Sequence, residues 1–322
     1  MLCSAVMNSD STIPRKLLVA LDGSRHSHNA LHYLAGLFAG QEYVRFHLLS
    51  LVAGVALPAG GEWLSEEERL NMLGSEAQKR LRTHRGYLRS AEEYLIKQGV
   101  GPERISKEVL ICRATLAADI AHEARKGLYD AMVLGRRGMT KLEEVLLGGV
   151  SVKLLEQCHD VPQWIIDGEV DSHRFLVPVD GSPYSLMAVD HLAFMLGNHP
   201  DAEITLFHST AILAEQPQFK AEDFHRQWDP DWCHLHLHQS TDLFQAPRQL
   251  LLDAGFPPHR IKEEETSKGF EPSRQILRQA MIDDYGTIVL GRRGAQIKKG
   301  VFRGVSDRVL LMAQHVAVWV IG

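Results

Sequence analysis

A six-residue segment that occurs twice constrains the fold of this 322-residue chain more than any other feature. The letters VLGRRG stand at residues 133–138 and again at residues 289–294, late in each half of the chain. Residues 16–24, KLLVALDGS, likewise match residues 174–182, RFLVPVDGS, in the same order. Because this repeat is far longer than a solenoid unit, each copy is predicted to bury a core of its own.

The length of the chain suits two ordinary domains. We predict a tandem duplication, with domains at residues 1–168 and 173–322. Residues 167–173, DGEVDSH, are short, polar and rich in turn-forming residues, which is typical of a linker. The apolar residues 161–166 and 316–321 end the two copies and also match each other.

Composition narrows the class of protein. A net charge of −5 gives no general attraction to nucleic acid or to an anionic membrane. No apolar run is long enough to cross a bilayer, and the first residues lack the features of a secretory signal. The 4 cysteines form no CxxC pair. The sequence therefore predicts a soluble, cytoplasmic protein with free thiols, and with neither nucleic acid nor membrane as a partner.

Short apolar runs alternate with helical patterns in both halves. In the first half the predicted strands lie at residues 17–21, 46–52, 108–112, 131–134 and 161–166. The strands are apolar on both faces, which is typical of a parallel sheet covered by helices on both sides. We predict a doubly wound α/β fold for each half.

In such sheets a ligand binds beyond the carboxyl ends of the strands, where the winding direction reverses. If the second and third strands lie on one side of the first strand, this point falls between the first and fourth strands. Those strands end at Asp22 and Gly135. Asp22 is suited to accept a hydrogen bond from a ribose hydroxyl or an adenine amine, or to hold a metal on the phosphates.

The glycines that follow the fourth strand favour a phosphate. Gly135 and Gly138 have no Cβ and would let backbone N–H groups approach an anion closely. Gly148 and Gly149 precede a predicted helix whose N-terminus is a ready anion site, and Ser151 would add a hydroxyl donor. The arginines of the repeated segment fit either phosphate contacts or solvated loop charges.

Two common nucleotide motifs are absent from the sequence. There is no GxxxxGK[ST] segment and no GxGxxG after the first strand, so neither a P-loop nor a Rossmann dinucleotide site is supported. No general base with an activating partner is evident. The pattern favours nucleotide holding over fast turnover, so we predict no catalytic residues.

Taken together, these residues resemble the universal stress protein family. The family motif Gly-x2-Gly-x9-Gly-(Ser/Thr) fits Gly135, Gly138 and Gly148, with Gly149 where the family has Ser or Thr. The aspartate after the first strand, Asp22, is also a family feature. The resemblance covers both halves and nearly the whole chain, which looks like a tandem member of the family.

The resemblance implies a flavodoxin-like, five-stranded parallel sheet of order 3-2-1-4-5 in each half. It also implies a stress-response protein that binds ATP, or AMP or ADP, with or without Mg2+. Carried over to the first half, the binding residues are Asp22, Leu51, Gly135, Gly138, Gly148, Gly149 and Ser151. Their counterparts in the second half are Asp180, Ser209, Gly291, Gly294, Gly304 and Ser306.

Departures from the motif favour the first site over the second. Gly149 gives up a hydroxyl but keeps its N–H, so the loss is on the order of one hydrogen bond. Aligning Gly304 with Gly149 requires a one-residue deletion. The resemblance further implies pairing through the last strand, with residues 161–166 against residues 316–321 as an intrachain pseudo-dimer. Further association into a homodimer stays open.

A Cys-His-Leu-His-Leu-His segment at residues 233–238 has the composition of a metal site. Its alternate histidines would share a face only in a strand, whereas the duplication predicts a helix here. We therefore predict no metal site.

Three functions remain open at this level. The first is a nucleotide-binding sensor or regulator that acts on an unknown protein partner. The second is a partner-binding scaffold without nucleotide, and the third is a slow ATPase.

Overall fold

The apolar runs of the sequence form strands in both halves, and the intervening amphipathic segments form helices. The computed structural model describes residues 13–54, 74–136, 149–197, 199–210, 220–237, 242–266, 269–292 and 304–322. Contacts divide the chain into an N-terminal unit, Pro14–Val161, and a C-terminal unit, Pro162–Gly322. This division does not test the predicted linker, so the boundaries at 168 and 173 stay a prediction.

The N-terminal unit has parallel strands in the order β3-β2-β1-β4. Its strands are β1 (Arg15–Ala20), β2 (Val44–Val52), β3 (Ile105–Ile111) and β4 (Ala131–Gly135). Its described helices are α1 (Arg25–Phe38), α2 (Ser75–Lys97), α3 (Leu116–Lys126) and α4 (Gly149–Gln157).

The C-terminal unit repeats this plan and adds one strand at its edge, in the order β5-β10-β9-β6-β7-β8. Its strands are β5 (Gln163–Ile166), β6 (Arg174–Pro178), β7 (Glu203–Ser209), β8 (Ile261–Thr266), β9 (Thr287–Gly291) and β10 (Ala317–Ile321). Its described helices are α5 (Pro183–Leu196), α6 (Pro230–Leu237), α7 (Gln245–Asp253), α8 (Pro272–Ile282) and α9 (Val305–Met312).

The strand order predicted from the sequence is confirmed. Strands β6 to β10 give the order 3-2-1-4-5, with every neighbouring pair parallel. The first four strands give the corresponding 3-2-1-4 arrangement in the N-terminal unit. The central strands are buried on both faces, as parallel sheets require, and Leu17, Leu18 and Val19 have no exposed surface.

The last strand of the first copy pairs with the last strand of the second. Strand β5 lies antiparallel to β10, which confirms the predicted pairing. Trp164 and Trp319 face each other in this register and stack with ring centroids 3.7 Å apart. The indole Nε1 of Trp164 donates a hydrogen bond of 3.2 Å to Nε2 of His191, on α5.

Equivalent serines begin the first helix of each unit. Ser24 accepts a hydrogen bond from the backbone N of Ser27, and Ser182 accepts one from the backbone N of Ser185. Each serine thereby satisfies one of the free N–H groups at a helix start.

Within the part of the chain that the structure describes, no helix is long and apolar enough to cross a membrane.

Glycine ends β4 and β9 because each strand end packs against the start of a helix. A Cβ at Gly135 would lie 2.6 Å from the backbone carbonyl carbon and oxygen of His26, on α1. A Cβ at Gly291 would lie 2.0 Å from the backbone oxygen of Tyr184, on α5. Helix packing alone therefore requires glycine at both positions, whatever their part in binding.

This packing predicts opposite effects for two Gly→Ala substitutions in the N-terminal unit. Gly135→Ala should lower the free energy of unfolding by about 2 kcal/mol or more, because a backbone clash must be relieved. Gly36→Ala is the control: this exposed glycine lies inside α1 with nothing within 4 Å of its Cβ position. It should stabilise the protein by about 0.5–1 kcal/mol. Urea unfolding followed by circular dichroism measures both, and equal effects would contradict the assignment.

His191 should make stability depend on pH. Burial lowers the pKa of His191 to about 3, from a model-compound value of 6.5. The neutral ring therefore contributes stability above pH 6.5, and this contribution is lost as the pH falls from 6.5 toward 3. Between pH 7 and pH 5, wild type should lose about 2 kcal/mol more than His191→Gln. Urea unfolding monitored by tryptophan fluorescence measures the difference.

His259→Gln is the matched control for this experiment, since His259 is exposed. It should keep the wild-type pH dependence. A His191→Gln profile that is superimposable on the wild-type profile would show that His191 does not carry the effect.

Candidate functional site

Asp22 stands at the carboxyl end of β1, in a turn that fixes its carboxylate. Its Oδ1 accepts hydrogen bonds from the backbone N of Ser24, at 3.0 Å, and from Oγ of Ser27, at 2.5 Å. The Ser27 hydroxyl oxygen in turn accepts a bond from the backbone N of Asp22, at 3.0 Å. Among the described residues, no hydrogen-bond partner is found for Oδ2 of Asp22.

The C-terminal unit builds the same turn at Asp180. Oδ1 of Asp180 accepts a hydrogen bond of 3.0 Å from the backbone N of Ser182. Gly23 and Gly181 follow the two aspartates with φ of +76° and +75°, a region that favours glycine. The repeated Asp-Gly sequence thus has a conformational reason, and it points an aspartate the same way in both units.

A side chain on the second strand of each unit forms a hydrogen bond to a backbone oxygen just before this turn. Oγ of Ser50 donates to the backbone oxygen of Leu21 at 2.6 Å, and Nδ1 of His208 lies 2.8 Å from the backbone oxygen of Val179. A carbonyl only accepts, so Nδ1 of His208 carries the proton. In the neutral ring, Nε2 of His208 is then a hydrogen-bond acceptor.

The binding residues predicted on these strands, Leu51 and Ser209, each come one position after the residue that contacts the turn. Leu51 is buried in the apolar core of the N-terminal unit. Ser209 is half-buried, and its hydroxyl donates to Oε1 of Gln275, on α8. The role of the preceding positions, Ser50 and His208, was missed because the two residue types differ and only the strand register reveals their equivalence.

Helix α2 contributes an imidazole to the N-terminal site. Nδ1 of His84 lies 2.8 Å from Oγ of Ser50, which already donates elsewhere, so Nδ1 is the donor here. Burial lowers the pKa of His84, and the nearby charge of Asp22 partly opposes this. The Tyr87 ring lies against Gly23, where a Cβ would come within 2.6 Å of it.

The helix that starts at Gly149 in the N-terminal unit and the helix that follows Gly304 in the C-terminal unit have different first turns. Helix α4 begins at Gly149, has no acidic residue in its first turn, and buries Ser151. Helix α9 follows Gly304, and Oγ of Ser306 donates to the backbone oxygen of Gly291 at 3.0 Å. The Ser306 hydroxyl therefore ties α9 to the end of β9.

A cavity of about 410 Å³ lies at the carboxyl ends of β6, β7 and β9, beside the start of α9. This volume is in the range of small-molecule sites, and apolar side chains such as Phe207 and Ile276 form part of the wall. The cavity brings together the residues predicted for the second half: Asp180, Ser209, Gly291, Gly304 and Ser306. Gly294, and Gly138 and Gly148 of the first half, lie outside the described residues.

The charged groups of this cavity are arranged in pairs. Nη2 of Arg292 lies 3.3 Å from Oδ1 of Asp307, and both side chains are largely buried. Arg308 pairs with Glu271, which also lies 3.4 Å from Nε of Arg274. Asp180 is a third carboxylate on the wall. The described lining is thus rich in hydrogen-bond acceptors, and its two arginines each lie beside a carboxylate.

The histidine-rich segment forms helix α6, as the duplication predicts. Cys233 is fully buried beside Leu186, Phe224 and Trp228, so it serves packing. Across the residues that the structure describes, no group of three or more His, Cys, Asp or Glu side chains is placed to hold a metal. His238 lies outside those residues.

Comparison with known proteins agrees with this architecture. The model of the universal stress protein family matches residues 14–161 and 172–321. Universal stress protein MJ0531 of Methanocaldococcus jannaschii is 28% identical over 159 residues, which are 48% of this chain and 84% of that protein.

Two solved structures share the fold over nearly the whole chain. A universal stress protein from Archaeoglobus fulgidus superposes with a TM-score of 0.60 at 17% identity, covering 95% of this chain and 97% of its own. Protein PA1789 from Pseudomonas aeruginosa gives a TM-score of 0.51 at 16% identity, covering 96% and 92%. The chain belongs to the universal stress protein family, with two family domains in tandem.

Proposed function

We propose that this protein binds adenine nucleotides and uses the bound nucleotide to regulate its contact with a protein partner during stress. The observation that carries the proposal is the turn that holds Asp22 in the N-terminal unit and recurs at Asp180, where it borders a cavity of about 410 Å³. The cavity lies where ligands bind in doubly wound sheets, and its walls contain the residues that recur in both halves of the sequence.

The chemistry of the cavity suits a nucleoside. Asp180 and Nε2 of His208 offer acceptors for the hydroxyl groups of ribose and for the exocyclic amine of adenine. Phe207, Ile276 and Leu290 offer apolar surface to a base. A mostly apolar wall with a few oriented polar groups is the usual composition of such sites.

The N-terminal unit is proposed as the site for ATP, ADP or AMP. Its aspartate, Asp22, is held in the same turn as Asp180. The first turn of α4 has no carboxylate, so the N–H groups of Gly149 and its neighbours suit a phosphate. Mg2+ would enter with the phosphates. Gly135, Leu51 and Ser151 support this site by packing, and Gly138 and Gly148 complete it in the proposal.

The first experiment identifies the nucleotide that the purified full-length protein carries. The protein is denatured, and the released nucleotide is identified by chromatography together with its molar ratio to chain. Adenine nucleotide near one per chain is expected. Protein that neither carries nor binds ATP and Mg2+ at millimolar concentration would overturn the proposal and favour a nucleotide-free scaffold.

Asp22→Ala should weaken ATP binding on the order of tenfold, because a charge-assisted hydrogen bond to the ligand contributes about 1.5–3 kcal/mol. Isothermal titration calorimetry measures the affinity, and circular dichroism checks that the turn substitution leaves the fold intact. Asp201→Ala is the matched control, since Asp201 is exposed and lies away from the cavity lining. Equal ATP affinity in both variants would remove Asp22 from the site.

A further inference from the structure

The two helix openings differ at one position that bears on ligand charge. Residues 149–152 read GVSV, and residues 304–307 read GVSD. Val152 in the first copy therefore corresponds to Asp307 in the second. This exchange places a carboxylate in the first turn of α9, at the end of the helix where an anion would otherwise bind.

Asp307 already occupies the groups that a phosphate would use. Its Oδ2 lies 3.4 Å from the backbone N of Gly304, and its Oδ1 lies 3.3 Å from Nη2 of Arg292. Asp307 is only 8% exposed, so its charge is weakly screened by solvent. A phosphate at this helix start would have to displace a buried carboxylate from both partners and then lie beside it.

The other charged side chains of the described lining also disfavour a phosphate. Arg308 is paired with Glu271 and is not a free cation for a phosphate. Asp180 adds a third carboxylate to the lining. Like charges at close range in a partly buried site are costly, so the described lining disfavours a multiply charged anion.

The same lining accepts hydrogen bonds from neutral donors. Asp180 presents a carboxylate, and Nε2 of His208 is an acceptor because its Nδ1 proton is committed to Val179. Ribose hydroxyls and an exocyclic amine are donors of the matching kind. The hydroxyl and amine groups of a nucleoside would donate hydrogen bonds to these acceptors, whereas the phosphates of a nucleotide would lie beside the carboxylate of Asp307.

We propose that the C-terminal cavity is a nucleoside site in which Asp307 selects adenosine over its phosphorylated forms, while the N-terminal unit takes the nucleotide. This inference rests on the proposed function and assigns the ligand class of the second site. Asp307 is its specificity-determining residue, and Arg292 holds the carboxylate in place.

The test uses the full-length Asp22→Ala chain and assigns to the C-terminal cavity the binding site whose affinity is the same in this chain and in wild type. Calorimetric titration with adenosine, AMP, ADP and ATP should give affinities that fall stepwise with each phosphate, to at least tenfold weaker for ATP than for adenosine. The reverse order is expected in the Asp180→Ala chain, where the N-terminal site remains. This series requires no substitution at Asp307, so it does not depend on how such a variant folds.

Asp307→Asn in the Asp22→Ala background then tests the residue itself. Asparagine keeps the side-chain shape and an acceptor for Gly304 but removes the charge. The ratio of ATP affinity to adenosine affinity should rise on the order of tenfold. Asp307→Val, which copies Val152 of the first unit, should shift the ratio in the same direction.

Three results would overturn the inference without touching the proposed function. ATP could bind the Asp22→Ala chain as tightly as adenosine. The affinity ratio could stay unchanged in Asp307→Asn. Adenosine could fail to bind the Asp22→Ala chain while ATP still binds the Asp180→Ala chain. Failure of every ligand on both chains and on wild type would instead overturn the proposed function.

Discussion

Burial of the parallel strands on both faces is the constraint on which the rest of the structure depends. Leu17, Leu18 and Val19 have no exposed surface, and all of β10 is buried. A strand covered on both sides can present polar chemistry only at its ends. The aspartates, serines and glycines of each copy accordingly follow the strands, at the edge of the sheet formed by the carboxyl ends.

This constraint explains why the sequence predicts the fold well. Apolar runs of strand length, repeated in order, predict the layers, and the family resemblance implies the order 3-2-1-4-5. The resemblance also implies the pairing of residues 161–166 with residues 316–321, which the structure shows to be antiparallel, with Trp164 stacked on Trp319. These features depend on patterns within a segment or between equivalent segments, which a single sequence displays.

The candidate site is less accessible to sequence reasoning because it depends on contacts between unlike segments. His208 comes from β7 and His84 from α2, so no alignment of the two copies relates them. Arg292 and Asp307 lie apart in the sequence, and only the fold brings them together as an ion pair. Gly135 recurs as Gly291, and the structure adds a close approach to a helix that the sequence did not indicate.

Fusion of two copies in one chain removes a restriction that a symmetric dimer imposes. In a homodimer, any substitution that favours one ligand at one site appears at both sites, because the subunits are identical. In a tandem chain, Val152 and Asp307 are free to differ, although both follow the same glycine-valine-serine sequence. A single carboxylate at a helix start suffices to change which charge is stabilised there, while the backbone of the turn and the strands stays the same. Divergence of ligand class between the two units therefore needs no change of fold.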